Sequence, residues 1–153
     1  MPSIFSLLSK LRCDFPAINF ASGNEFYWSS STQTVFYNEG SDETALLLHE
    51  LAHGLLGHVA YRRDVELLAI ERQAWDYAIT ELAPRYAIKI TEDDIEHALD
   101  SYRDWLHARS TCPNCHATGI QTGQKQYRCL ACHKIWSVNE ARQCALRRYT
   151  RTI

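Results

Sequence analysis

The sequence predicts an α+β fold built from two modules, and three observations support this. A helix, a β-hairpin and three further helices precede a short cysteine-rich ribbon, an order typical of α+β chains. The 153 residues are 46% hydrophobic, which is enough to bury a core and excludes a disordered chain. No apolar run approaches the roughly 18–20 residues that a membrane helix needs. We therefore expect a cytoplasmic protein that does not contact a membrane.

Charge is distributed unevenly along the chain. Residues 1–108 hold 8 Lys and Arg against 17 Asp and Glu, a net charge of −9, whereas residues 109–153 hold 8 against 1, a net charge of +7. Such asymmetry indicates two modules with different partners. The sequence is therefore divided into a first module, 1–108, and a basic cysteine module, 109–153.

The elements of the first module follow from apolar spacing and from helix-breaking residues. The predicted helices cover residues 3–12, about 42–58 and 64–83, and a fourth begins at residue 91. Thr91 and Asp94 resemble the capping box of that fourth helix. Aromatic and β-branched residues over 25–28 and 34–37 predict a hairpin. Pro16 argues against a helix between the first helix and this hairpin.

A metal-binding pattern lies in the second predicted helix, where residues 49–53 read His-Glu-Leu-Ala-His. Positions i and i+4 share one face of a helix, so the imidazoles of His49 and His53 can point at one ion. Neutral imidazoles suit Zn²⁺, and Glu50 is placed to take a proton from a metal-bound water. This is the zinc-hydrolase signature, and it predicts a catalytic zinc with Glu50 as general base.

A catalytic zinc usually has three protein ligands, so a third is needed. Glu71 is the favoured candidate because it lies among apolar residues of the third helix, where a carboxylate is costly unless it is paired or binds metal. Glu66 and Asp76 occupy more polar stripes of that helix. His58 is the other candidate, but it follows Gly57, where the second helix is expected to end, and is interpreted as a histidine at the rim.

Residues 42–83 resemble the ImmA/IrrE family of gluzincin-type metalloproteins, in which a Glu-x-x-Ala helix supplies the third ligand after the His-Glu-x-x-His helix. The matching positions are His49, Glu50, His53, Glu71 and Ala74. The chain departs from the family at Trp75, where members often have Asn. The resemblance implies a minimal zincin-like domain and proteolysis of a regulatory protein, commonly a helix-turn-helix repressor.

The cysteine module contains two Cys-x-x-Cys pairs, Cys112 with Cys115 and Cys129 with Cys132. In a cytosolic chain such pairs form knuckles whose four thiolates close a tetrahedral structural zinc site. We therefore expect two zinc ions, one catalytic and one structural. His116 and His133, each next to a knuckle, are second-choice ligands.

The same module resembles zinc ribbons of transposases and other DNA-associated proteins. Arginine and aromatic residues on a ribbon suit phosphate contact and base stacking. The candidate binding residues are Lys125, Arg128, Lys134, Arg142, Arg147, Arg148 and Arg151. The arginines of the tail, together with Tyr149, are expected on a short helix. A protein partner and docking onto the acidic first module remain alternatives to nucleic acid.

Three functions are consistent with these motifs. The favoured one is a zinc endopeptidase that cleaves a DNA-associated regulator and is targeted by its ribbon. A second is a non-catalytic adaptor that binds DNA or protein on a zincin scaffold, although such a scaffold has no need of Glu50. A third is a SprT-like protease acting on DNA–protein crosslinks, whose third ligand is a downstream histidine such as His97 or His107.

Overall fold

The fold of the chain is given by a computed structural model, which describes residues 3–140, 146 and 148–150. The architecture is mixed α+β, as the sequence predicted. The helices are α1 (Ile4–Asp14), α2 (Thr44–Leu55), α3 (Asp64–Tyr77) and α4 (Glu92–Ser110), and α3 continues as one π-helical turn, Ala78–Leu82. The strands are β1 (Asn19–Gly23), β2 (Tyr27–Ser29), β3 (Thr34–Asn38), β4 (Gly119–Gly123), β5 (Gln126–Cys129), β6 (Ile135–Val138) and β7 (Arg148–Tyr149).

The chain divides into two compact units. The first comprises Met1–Ala60 and Ile70–Glu96, and the second comprises Tyr61–Ala69 and His97–Ile153. The whole cysteine segment falls in the second unit, together with the beginning of α3 and most of α4. The sequence-based division at residue 108 stays a prediction about which segments fold independently.

The first unit contains a three-stranded sheet in the order β1-β3-β2. The predicted hairpin is present as the antiparallel pair β2 and β3, in which Trp28 faces Val35. Strand β1 was not predicted, and it lies parallel to β3 on the other side. Its residues, Asn-Phe-Ala-Ser-Gly, have little strand propensity of their own, so pairing with β3 decides their conformation.

Helix α2 carries the predicted metal-binding pattern, and its inner face is buried through Leu47, Leu48 and Leu51. It ends at Leu55, three residues before the predicted end, because Gly57 adopts a left-handed φ of +70°. The N–H of Gly57 then donates to the carbonyl of Gly54 at 3.2 Å. The N–H of His58 donates to the carbonyl of His53 at 3.0 Å. Together these bonds form a Schellman motif.

The fourth helix begins with the predicted capping box. The hydroxyl of Thr91 accepts from the N–H of Asp94 at 3.1 Å, and the Asp94 carboxylate accepts from the N–H of Thr91 at 3.0 Å. Both terminal N–H groups are thereby satisfied. The predicted helix of the basic tail is wrong where the structure describes it, since Arg148 and Tyr149 form β7 and pair with β6. At Arg148 and Tyr149, backbone pairing with β6 takes the place of the hydrogen bonds that a helix would form.

The second unit contains the antiparallel sheet β4-β5-β6-β7. Its core joins Tyr127 and Trp136, stacked with centroids 5.8 Å apart, to Val138, Cys112 and Cys129. Aromatic side chains of this size supply a large share of the apolar area in so small a core. Among the helices of the described ranges, none combines the length and apolarity needed to cross a membrane.

Candidate metal centres

Two groups of side chains in the described part of the chain are arranged so that they can hold a metal ion. One consists of His49, Glu50 and His53. The other consists of Cys112, Cys115, Cys129 and Cys132. Neither His97 nor His107 belongs to either group, and both are exposed on α4.

The two imidazoles of α2 converge as their spacing predicted. Nε2 of His53 lies 3.1 Å from Nε2 of His49, and both side chains are buried. Four residues make slightly more than one helical turn, which places the rings on one face with their planes at 77°. The local helix alone therefore provides two nitrogen donors aimed at a common point.

Glu71 supplies the oxygen donors, and it comes from α3. One carboxylate oxygen lies 2.8 Å from Nε2 of His49 and the other lies 3.3 Å from Nε2 of His53. The Glu71 side chain is buried, as its apolar neighbours on α3 predicted, whereas Glu66 is exposed. Glu50 is more distant, with its carboxylate 3.9 Å from Nε2 of His49. Glu71 thus lies closer to the His49 nitrogen than Glu50 does, and its role as the third ligand stays a prediction.

The protonation states of these groups suit a metal. Burial lowers the pKa of His49, and this outweighs the opposing attraction of Glu71. Burial raises the pKa of Glu71, but hydrogen bonds from His49 and His53 overcome that effect and lower it to about 2. The centre thus combines an imidazole that favours its neutral form with an ionised carboxylate, the forms in which both residue types bind metals.

The two histidines are held in different ways. The His49 ring is stacked on the indole of Trp75, with centroids 4.2 Å apart and planes at 18°. Its Nδ1 atom is buried without a hydrogen-bond partner. His53 instead places its Nδ1 atom 2.9 Å from Nδ1 of His58. Trp75, the position at which the sequence departs from the ImmA/IrrE pattern, therefore stacks on the predicted ligand His49.

The distances fit a zinc site. Nitrogen and oxygen donors at the usual zinc bond lengths lie about 3.3 Å apart in a tetrahedron. One oxygen of Glu71 lies 2.8 Å from His49 and its other oxygen lies 3.3 Å from His53, while the two imidazole nitrogens are 3.1 Å apart, so the three side chains are close enough to share one ion. Three protein donors from two helices would leave room for a water on a bound zinc ion, as in catalytic zinc sites. The predicted ligands are thus brought together, and their binding of zinc stays a prediction.

The four cysteines also fit a zinc ion. Sγ of Cys112 lies 3.7 Å from Sγ of Cys132, and Sγ of Cys115 lies 3.4 Å from Sγ of Cys129. Four sulfurs around one zinc are separated by about 3.8 Å. The chain turns after each knuckle at His116 and His133, whose φ angles of 66° and 64° direct it back. These histidines are not members of the cysteine group, so the second-choice ligands are not required.

Ionisation within the cysteine cluster is uneven. A hydrogen bond from the backbone of Lys134 lowers the pKa of Cys132, to about 6. The backbone of Ala117 lowers the pKa of Cys115, but neighbouring thiols, Cys129 first, raise it to a net value of about 12. The crowded sulfurs therefore do not all ionise by themselves. A divalent cation would permit four thiolates here, which is the form that binds zinc.

The basic residues of the ribbon are only partly available to a partner. Arg128 and Lys134 are exposed, although Arg128 lies 3.3 Å from Nδ1 of His133, and Lys125 forms an ion pair of 2.6 Å with Glu140. Arg148 donates to the carbonyl of Thr111 at 2.7 Å. The remaining predicted positions, Arg142, Arg147 and Arg151, lie outside the described residues.

A buried ion pair in the second unit was not predicted. Nε of Arg109 donates to the Asp64 carboxylate at 3.0 Å, and the hydroxyl of Tyr127 donates to the same oxygen. The side chain of Gln121 accepts from the N–H of Asp64 at 2.7 Å. These contacts link segments distant in sequence. The only sequence signal was an acidic residue at the start of a helix, which is common without such a role.

Strand β3, which precedes the helix with the histidine pair, offers no free edge to an extended peptide. β3 is the central strand, paired with β1 on one side and β2 on the other, so its backbone groups are occupied. Strands β1 and β2 are the edges of this sheet. Of the two, β2 carries Trp28. Its indole packs so closely on Gly54, the residue after His53, that a Cβ added to Gly54 would lie 2.9 Å from the ring.

Comparison with known proteins provides no relative for this chain. No protein family matches it, and neither a curated protein nor a solved structure is detectably similar. The class of protein is therefore argued from the two centres themselves.

Proposed function

We propose that the chain is a zinc-dependent endopeptidase of the ImmA/IrrE type that cleaves a DNA-associated regulatory protein such as a helix-turn-helix repressor. The observation that carries this proposal is the convergence of His49, His53 and Glu71, with Glu50 one residue from the first histidine. An α+β chain with this donor set and an adjacent carboxylate has the groups that metal-assisted peptide hydrolysis uses.

The roles follow from chemistry and position. A zinc ion held here by His49, His53 and Glu71 would lower the pKa of a bound water to about 7 and would polarise the scissile carbonyl. Glu50 accepts the proton of the attacking water and passes it to the leaving amine. His49, His53 and Glu71 are the ligands that would hold this ion. Because β2 is an edge strand that packs beside α2, an extended substrate can pair with Tyr27–Ser29.

The test compares Glu50→Gln with the wild-type chain. Zinc content is measured by elemental analysis, and cleavage is followed by mass spectrometry of a mixture of peptides and of helix-turn-helix regulators encoded beside the gene. We expect two zinc ions in both chains and cleavage only by the wild type. Glu81→Gln, at an exposed carboxylate of the π-helical turn, serves as the matched control and keeps activity.

Other outcomes favour the alternatives. Two zinc ions without cleavage of any peptide or regulator would indicate a non-catalytic adaptor. Loss of one zinc from His97→Ala, with full zinc retained by Glu71→Gln, would indicate the SprT-like arrangement. Cleavage by Glu50→Gln at the wild-type rate would remove Glu50 from the mechanism.

A second proposal concerns the ribbon, which we propose binds nucleic acid and so brings the peptidase to its DNA-associated substrate. Arg128 lies between Ile120 and Ile135 in one row across β4, β5 and β6, and all three side chains are exposed. A cation flanked by apolar groups suits contact with a phosphate and the adjoining sugar or base.

Binding is measured by fluorescence anisotropy with single- and double-stranded DNA over a range of salt concentrations. Replacing Arg128 and Lys134 with alanine is expected to weaken binding and to lower the salt slope by about two, one for each phosphate contact. Lys125→Ala is the matched control because Lys125 is already paired with Glu140. Equal binding by both variants would favour a protein partner for the ribbon.

A further inference from the structure

Beyond the predicted ligands, a chain of hydrogen bonds leads away from the first metal centre. Nδ1 of His53 lies 2.9 Å from Nδ1 of His58, and Nε2 of His58 lies 3.0 Å from Oε1 of Gln73. His53 is buried, His58 is half-buried and Gln73 is exposed. This series of hydrogen bonds therefore runs from the metal centre to the surface and connects the end of α2 with α3.

The C-terminal turn of α2 builds this contact. In the Schellman motif, the left-handed residue Gly57 reverses the chain, and the N–H of His58 bonds to the carbonyl of His53. The residue after the left-handed position commonly contacts the residue five before it, usually through apolar side chains. Here the two side chains are imidazoles, and a hydrogen bond takes the place of the apolar contact.

The direction of the hydrogen bonds is fixed by the outermost group. Oε1 of Gln73 can only accept, so Nε2 of His58 carries the hydrogen and donates. Neutral His58 then has its lone pair at Nδ1 and accepts from Nδ1 of His53. In this tautomer His53 has its lone pair at Nε2, the atom that faces His49 and Glu71, so His58 acts against the Glu71 carboxylate, which without a metal attracts a hydrogen to the same Nε2 atom.

We propose that His58, held by Gln73, is a positioning residue that fixes the tautomer and ring orientation of His53 for metal binding at Nε2. Outer hydrogen bonds of this kind set ligand orientation, and their loss typically costs 10–100-fold in metal affinity. His49 has no such partner at its buried Nδ1 and depends on Trp75 instead. The inference rests on the proposed zinc site but concerns one ligand only.

The first test measures zinc affinity of the full chain by competition with a chelator. Zinc in the four-cysteine site is released by thiol modification and provides the internal reference. His58→Ala is expected to weaken the first site by about 10–100-fold. His58→Asn should restore affinity to within about threefold, because its amide oxygen replaces the accepting Nδ1 atom. His97→Ala, which removes an exposed histidine of α4, should have no effect.

The second test examines Gln73. Gln73→Met removes the outer acceptor and should weaken zinc binding less than His58→Ala, because this outer bond is exposed to water. In a His58→Ala background the same change should have no further effect, since Gln73 acts only through His58. If the losses of zinc affinity in the two single variants added fully in the double variant, Gln73 would not act through His58.

A direct readout is the tautomer of His53, observed by long-range proton–nitrogen NMR on the chain lacking zinc at the first site. Because the Glu71 carboxylate favours a hydrogen on Nε2 when zinc is absent, we expect a larger fraction of the Nδ1–H form in the wild type than in His58→Ala. An unchanged tautomer together with unchanged affinity overturns the inference, and so do equal losses in His58→Ala and His58→Asn. If the wild type binds only one zinc, the proposed function fails, whereas the tautomer still decides the role of His58.

Discussion

The Glu71 carboxylate lies 2.8 Å from Nε2 of His49, although 22 residues separate the two in sequence. This contact joins α3 to α2 and turns a pair of histidines on one helix into a three-donor centre. A buried carboxylate is costly in isolation, so its position is stabilised by the polar groups that it meets. The first prediction concerns this residue.

Glu71→Gln is expected to reduce the zinc content of the chain from two ions to one. An amide is a much weaker zinc ligand than a carboxylate, and the remaining two imidazoles do not complete a site. Elemental analysis after dialysis provides the measurement. Glu66→Gln, at an exposed position of the same helix, should retain both ions. Two ions in Glu71→Gln would show that this carboxylate is not a ligand.

Trp75→Leu should weaken zinc binding at the first centre by up to about tenfold. The indole stacks on His49, and such aromatic pairs contribute about 0.5–1.5 kcal/mol beyond their buried area. Trp75→Phe retains a stacking ring and should lose less. Chelator competition compares the two variants. Equal affinities in Trp75→Leu and Trp75→Phe would mean that stacking does not orient His49.

Asp64→Asn should lower the stability of the second unit by about 3–5 kcal/mol, because it leaves the Arg109 guanidinium buried without its counterion. Asp100→Asn disrupts an exposed pair with Arg103 and should change stability by less than about 1 kcal/mol. Urea unfolding of the zinc-loaded chains measures both. Similar midpoints for the two variants would argue against a structural role for the buried pair.

Gly119→Ala should destabilise the ribbon. A Cβ at this position would stand 2.7 Å from the carbonyl oxygen of Arg128 and 2.5 Å from the Trp136 ring, so the strand pairing must shift. Gly123→Ala is the matched control, since its nearest neighbour would be 3.7 Å away, an ordinary contact. Thermal unfolding and the rate of zinc release from the cysteines should differ between the two variants.

Alkaline titration should identify Tyr86. Burial raises its pKa first, and the hydrogen bond to Asp14 adds to this, giving a value of about 12. Because the folded pKa lies above the ordinary value of 10, the contribution of Tyr86 to stability is complete below pH 10 and is lost as the pH rises through about 12.

Absorbance at the phenolate band checks this assignment. The difference between wild type and Tyr86→Phe should show one tyrosine that ionises near pH 12, whereas a difference centred near pH 10 would contradict it. Tyr149→Phe, which removes an exposed tyrosine, should leave the alkaline unfolding midpoint unchanged.

Local patterns were sufficient for several features of the fold. The convergence of His49 and His53 follows from helical spacing, and the burial of Glu71 follows from its apolar neighbours on the same stripe. The capping box at Thr91 needed only residues within one turn. Each of these features depends on contacts within one helix or on which side of that helix is apolar.

Other features depend on segments that meet only in the folded chain. Strand β1 forms by pairing with β3 and has no strong pattern of its own. The place of β3 at the centre of the sheet, which excludes it as a substrate strand, is likewise a result of pairing on both sides. No periodicity in the sequence reports which strands become neighbours, because the pairing energy comes from the partner strand.

The sequence by itself therefore predicted the candidate donors, because the histidine pair on its helix and each Cys-x-x-Cys knuckle are encoded within a few residues and Glu71 lies on an apolar stripe. Only the tertiary structure decided how the donors are held: Trp75 against His49, His58 and Gln73 behind His53, and Asp64 with Arg109 in the second unit. These contacts join different elements or depend on a reversal of the chain at a helix end. Their geometry depends on how the elements pack against one another, and no short stretch of the sequence specifies that packing.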